Sequence, residues 1–109
     1  MDYKEEFTQL IEENRLEDAR ILLERHKLYA SEEPFYYGNM GWVLNHMERY
    51  QEAEVFLRKG LVYFSEDGWL YSQLGFSLDR QGNIRDGLDA LLKALQLGFD
   101  EPWLHGEIG

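Results

Sequence analysis

Three stretches decide how this chain folds: EEPFYYGNMGWVL at residues 32–44, EDGWLYSQLGFSL at 66–78 and DEPWLHGEIG at 100–109. Each opens on an acidic pair, passes through Pro or Gly into an aromatic residue, and reaches a glycine seven positions after that Pro or Gly. Pro34 and Pro102, the two prolines of the chain, stand 68 residues apart with Gly68 midway, so the spacing is twice 34. The intervening segments keep the same period. NRLEDARILLER from Asn14, ERYQEAEVFLRK from Glu48 and GNIRDGLDALLK from Gly82 align residue for residue. That alignment places Leu16, Tyr50 and Ile84 in one register, Ala19, Ala53 and Gly87 in a second, and Leu23, Leu57 and Leu91 in a third. A fixed period running through both halves of the unit is the signature of a repeat array.

Each unit reads as two helices. In the second unit the first helix is expected near Phe35–Met47 and the second near Gln51–Tyr63. Leucines and aromatics three and four positions apart supply the packing stripe of each helix. Gly41, Gly75, Ala53 and Gly87 fall where paired helices cross, and their size lets the backbones approach at some cost in helix propensity. The acidic pairs Glu32–Glu33, Glu66–Asp67 and Asp100–Glu101 precede first helices, where negative charge favours the positive end of the dipole. The units are therefore 1–33, 34–67, 68–101 and a partial 102–109, in one domain of 109 residues. The partial unit is expected to form a short helical stub over the third, and it suggests the N-terminal fragment of a longer array.

This pattern resembles the tetratricopeptide repeat, a 34-residue helix–turn–helix unit. The second unit carries it in Tyr37, Met40, Gly41, Leu44, Ala53 and Leu57, and the third in Tyr71, Leu74, Gly75, Leu78, Gly87 and Leu91. The first unit is looser: Tyr3, Phe7 and Leu10 precede Ala19 and Leu23, with Phe7 in place of the glycine. The late proline of the family is missing, its place taken by Ser31, Ser65 and Phe99. The resemblance implies an all-α, right-handed superhelical solenoid of three repeats plus the start of a fourth. Pentatricopeptide repeats have a similar length but bind RNA and need a basic surface, and Sel1-like repeats are usually longer.

Composition narrows the function. Twenty-one acidic against 11 basic residues give a net charge of −10, which repels nucleic acid and anionic membranes. Cysteine is absent, so disulfides and thiolate metal sites are excluded. The N-terminal MDYKEEF lacks the apolar run of a signal peptide, and no stretch is long enough to span a bilayer, so the cytoplasm is the expected location. His26, His46 and His105 share no register and have no helical metal-ligand spacing. No nucleophile–base pair or phosphate loop emerges, so no enzyme, metal or cofactor is expected.

The resemblance implies that first helices line a concave groove that holds an extended peptide or helix. Carried over by register, the first unit presents Lys4, Glu5, Thr8, Ile11 and Glu12, and the second Phe35, Asn39, Trp42, Asn45 and His46. The third presents Trp69, Gln73, Phe76, Asp79 and Arg80, and the partial unit Trp103. One subclass of the family clamps the terminal carboxylate of a chaperone tail with Lys, Asn, Asn, Lys and Arg. Lys4 and Asn39 hold two of those places, but Thr8, Trp69 and Gln73 stand at the others, and losing two cations leaves a carboxylate poorly compensated. What remains is an aromatic strip of Phe35, Trp42, Trp69, Phe76 and Trp103 with Asn39 and Gln73 between them. These residues either anchor a peptide partner or pack against neighbouring first helices as core. The expected function is a non-catalytic protein-interaction scaffold. The alternative is a self-assembly module, stacking through an open C-terminal end on another copy or on the rest of a longer chain. It rests on Leu88, Leu91, Leu92 and Leu95, which keep the last full helix apolar where arrays usually end on a polar cap.

Overall fold

In a computed structural model of the chain, residues 2–27 and 33–109 are described here, so Ser31 and Glu32 of the repeat alignment lie outside them. Among the described residues every regular element is helical: α1 (Tyr3–Glu12), α2 (Leu16–Arg25), α3 (Pro34–His46), α4 (Tyr50–Tyr63), α5 (Gly68–Arg80), α6 (Ile84–Gln96) and α7 (Pro102–Ile108). Pro34 and Pro102 each open a helix, where the missing N–H costs nothing and the fixed φ suits the first turn. Asp67 caps α5, its carboxylate accepting the Leu70 N–H at 3.0 Å. Glu33 occupies the equivalent place before α3 but bonds Tyr3 and Lys4 instead of capping.

The two helices of each unit are joined by the same turn. Asn14, Glu48 and Gly82 take positive φ values of 57°, 62° and 90°. The following N–H closes back over the turn in each case, Arg15 to Leu10 O, Arg49 to Leu44 O and Asn83 to Leu78 O, at 2.8, 2.8 and 2.9 Å. First and second helices then pack face to face. A Cβ added at Gly41 would lie 2.5 Å from Leu57 Cδ2, and one at Gly75 would lie 2.6 Å from Leu91 Cγ. The leucine of each second helix thus fills the notch left by the glycine of its partner.

Each first helix also packs on the unit before it, α3 against α2 and α5 against both α3 and α4. The main core runs continuously through α1–α6, with Tyr36, Met40, Leu44, Leu57 and Leu70 at 2% exposure or less. A smaller cluster of Leu91, Ala94 and Leu104 seats α7 on α6. First helices α1, α3, α5 and α7 form one layer and second helices α2, α4 and α6 the other. No helix among the described residues is long and apolar enough to cross a membrane.

Candidate functional site

Three successive first helices wall a cavity of about 250 Å³. Trp42 and His46 come from α3, Gln73 and Phe76 from α5, and Trp103 and Glu107 from α7. The His46 ring stacks on Trp42 with centroids 3.8 Å apart, and its Nδ1 donates to the Trp42 carbonyl at 2.9 Å. That bond holds both rings against the end of α3. Phe76 meets Trp103 edge to face at 6.5 Å, and Phe99 braces the other side of Trp103 at 6.3 Å. Trp103 is nonetheless 38% exposed, so an indole edge remains open to solvent.

Arg80 closes one rim. Its guanidinium lies 4.2 Å from the Phe76 centroid and forms a two-pronged bond to Glu107 at 3.0 and 2.9 Å, with Asp79 a further 2.6 Å contact. These carboxylates, Glu107 first, raise the Arg80 pKa further. The cation is therefore already satisfied within the chain, stacked and paired at once.

The floor is a buried amide network. Asn45 is 2% exposed; its Nδ2 donates to the Gln73 carbonyl at 3.2 Å and its Oδ1 accepts from Ser77 Oγ at 2.7 Å. Every buried side-chain polar atom among the described residues has a partner. Asn45 was expected on the groove surface. Instead it is turned inward, where α5 offers it the Gln73 carbonyl as an acceptor and the Ser77 hydroxyl as a donor.

The remaining expected residues separate into two groups. Phe35 packs edge to face against Tyr3 at 5.6 Å and Phe7 at 5.8 Å, with Lys4 Nζ 4.9 Å above its ring. Trp69 lies directly on the backbone of α3 at Gly38, where no side chain would fit beneath it. Both therefore join one first helix to the preceding one and stand away from the cavity. Lys4 is tied to Glu33 at 3.1 Å, and Tyr3 and Lys4 together hold the Glu33 carboxyl below its ordinary range. Asn39 donates to the Phe35 carbonyl of its own helix, and Thr8 to the Lys4 carbonyl of α1. Neither is brought to the cavity, and nor are Glu5, Ile11 and Glu12.

One residue explains why Trp103 does not repeat Trp69. The register position that is Gly38 beneath Trp69 is Ser72 in the next unit, wholly buried and bonded to the Trp69 carbonyl at 2.6 Å. A Cβ there denies Trp103 the seat that Gly38 gives Trp69, and the displaced indole becomes a cavity wall. Glu107 is the wall residue that sequence reasoning missed; its signal was the lone acidic side chain one turn after Trp103.

No known family model and no curated protein sequence matches the chain. Solved structures do. The first tetratricopeptide repeat domain of Spaghetti, bound to the HSP90 peptide SRMEEVD, superposes with a TM-score of 0.89 at 12% identity, covering 97% of this chain and 84% of that one. The tetratricopeptide repeat domain of Sgt2 from Aspergillus fumigatus gives 0.89 at 14% identity, covering 97% and 72%. The Yersinia enterocolitica type III secretion chaperone SycD, in complex with a peptide of the translocator YopD, gives 0.85 at 13%, covering 97% and 86%. The chain has the tetratricopeptide repeat fold.

Proposed function

We propose that this protein is a cytoplasmic, non-catalytic scaffold that takes a peptide or helix of a protein partner on its first-helix layer, at the cavity between α3, α5 and α7. The observation that carries the reading is the aromatic lining itself. Trp42, Phe76 and Trp103 come from three different repeats, are incompletely buried, and enclose about 250 Å³, room for one large apolar side chain. His46 and Gln73 add polar groups beside it. Peptide complexes of Spaghetti and SycD, which share the fold, support the same use of this architecture.

The geometry also selects the right variants. Trp42→Ala and Trp103→Ala remove walls of the cavity while leaving the core leucines in place. Trp69→Ala removes an interhelical packing residue and confuses folding with binding. Selection from a random linear peptide library on the wild-type protein should enrich sequences with a large apolar anchor. Those peptides should lose at least about tenfold in affinity for Trp42→Ala and Trp103→Ala, a loss of roughly 1.4 kcal/mol, with helical circular dichroism retained. Equal binding to both variants would discard the site.

A second reading, self-assembly, is favoured by a different surface. Of the leucines expected to leave the C-terminal end open, Leu91 is buried in one cluster with Leu104 of α7, and Leu95 packs partly buried against that cluster. Ile84, Leu88 and Leu92, by contrast, recur every four residues along α6 and are 59%, 37% and 45% exposed. An apolar stripe of this length on one helix is the kind of patch that a second copy can cover.

A further inference from the structure

Resting on the peptide-binding reading, we propose that the occupant of the cavity is a cationic segment, a Lys- or Arg-rich stretch carrying one large apolar anchor, and not an acidic tail. The charge of the first-helix layer carries this. Helices α1, α3, α5 and α7 contain two cations, Lys4 and Arg80, against five carboxylates, Glu5, Glu6, Glu12, Asp79 and Glu107. Both cations are spent inside the chain, Lys4 on Glu33 and Arg80 on Asp79 and Glu107. An incoming carboxylate would have to displace one of these before it met a positive group, and would meet a layer of net negative charge while doing so.

The surroundings of Arg80 agree. It also borders a second depression of about 340 Å³ lined by Glu48, Arg49, Glu52 and Gln81. Arg49 is held there by Glu52 at 2.6 Å, whereas Glu48 is exposed and has no ion-pair partner among the described residues. A chain whose anchor sits between Trp42 and Trp103 thus finds one uncommitted carboxylate, Glu48, on the Arg80 side and no uncommitted cation. The indole and phenyl faces suit the same ligand, since they attract a cation as readily as an apolar group. The HSP90 peptide SRMEEVD seen on Spaghetti has the opposite character at its acidic end.

The test uses three short amidated peptides: one with Lys at alternate positions around a single central Phe, its Glu-for-Lys counterpart, and the Lys peptide with Phe replaced by Ala. Binding is followed by fluorescence anisotropy at low and raised salt, against wild type, Trp42→Ala and Trp103→Ala. The Lys peptide should bind at least about tenfold tighter than the Glu peptide, and the gap should narrow as salt screens the layer. Loss of Phe, of Trp42 or of Trp103 should each weaken it by about tenfold. A Glu peptide that binds as well as the Lys peptide and is weakened by Trp42→Ala overturns the charge preference and leaves the cavity as a peptide site. A Lys peptide indifferent to both tryptophan variants, or no binding by any peptide, overturns both.

Discussion

Glu48 stands where a glycine would be at ease. Its φ of 62° places a side chain with Cβ in the left-handed region, at the register position that Asn14 and Gly82 also hold. That conformation costs an ordinary residue roughly 1–2 kcal/mol, asparagine less, and glycine almost nothing. The turn is retained because the Arg49 N–H to Leu44 carbonyl bond and the crossing of α3 and α4 over-determine it. Glu48→Gly should therefore stabilise the protein by up to about 1 kcal/mol, the relief of strain exceeding the added flexibility of the unfolded chain. Urea unfolding reads this as a higher midpoint at unchanged slope. A lowered midpoint would mean that Glu48 contributes through its side chain and that the turn is not strained.

At the scale of elements, the repeat period made the helices legible. The first helix of the second unit, expected from Phe35, begins one residue earlier because Pro34 serves as its opening residue. Its partner likewise starts at Tyr50. What the period could not show is the surroundings of a shared register position. Phe35, Trp69 and Trp103 are equivalent in sequence, yet the first meets Tyr3 and Phe7, the second meets Gly38, and the third faces a cavity. Each outcome is set by residues one repeat earlier, Tyr3 and Phe7 for the first, Gly38 for the second and Ser72 for the third, so the signal is present but spread over two units. The same holds for Asn45, whose partners lie 28 and 32 residues away. Helix α7 shows how this bears on the site. Leu104, fully buried on Leu91 and Ala94, seats it, while the Arg80–Glu107 pair merely latches its rim. Leu104→Ala should remove about 2–5 kcal/mol of local packing and release α7. Glu107→Gln should cost less than about 1 kcal/mol, as for a solvent-accessible pair. Amide exchange within α7 distinguishes them: fast in the first variant, nearly unchanged in the second. The reverse order would make the ion pair the seat of α7.

Across the whole molecule, charge is spread unevenly over the helices. The first helices hold five carboxylates against two cations and α2 holds three against two, whereas α4 balances Glu52 and Glu54 against Arg58 and Lys59, and α6 balances Asp86 and Asp89 against Arg85 and Lys93. On a chain of net charge −10, two copies repel each other except where a surface is locally neutral. The apolar stripe of α6 is such a surface. A two-fold axis through Leu88 would set Ile84 of one copy against Leu92 of the other, an isologous contact in which each residue is used twice. Self-association through α6 therefore predicts a reversible monomer–dimer equilibrium in sedimentation velocity, shifted towards dimer as concentration rises. Raised salt should strengthen it by screening the acidic layers. Leu88→Glu should abolish it, since two carboxylates would meet on the axis, while leaving peptide affinity at the α3–α5–α7 cavity unchanged. A strict monomer at the highest concentration, in low and raised salt alike, removes the self-assembly reading and leaves the aromatic cavity untouched.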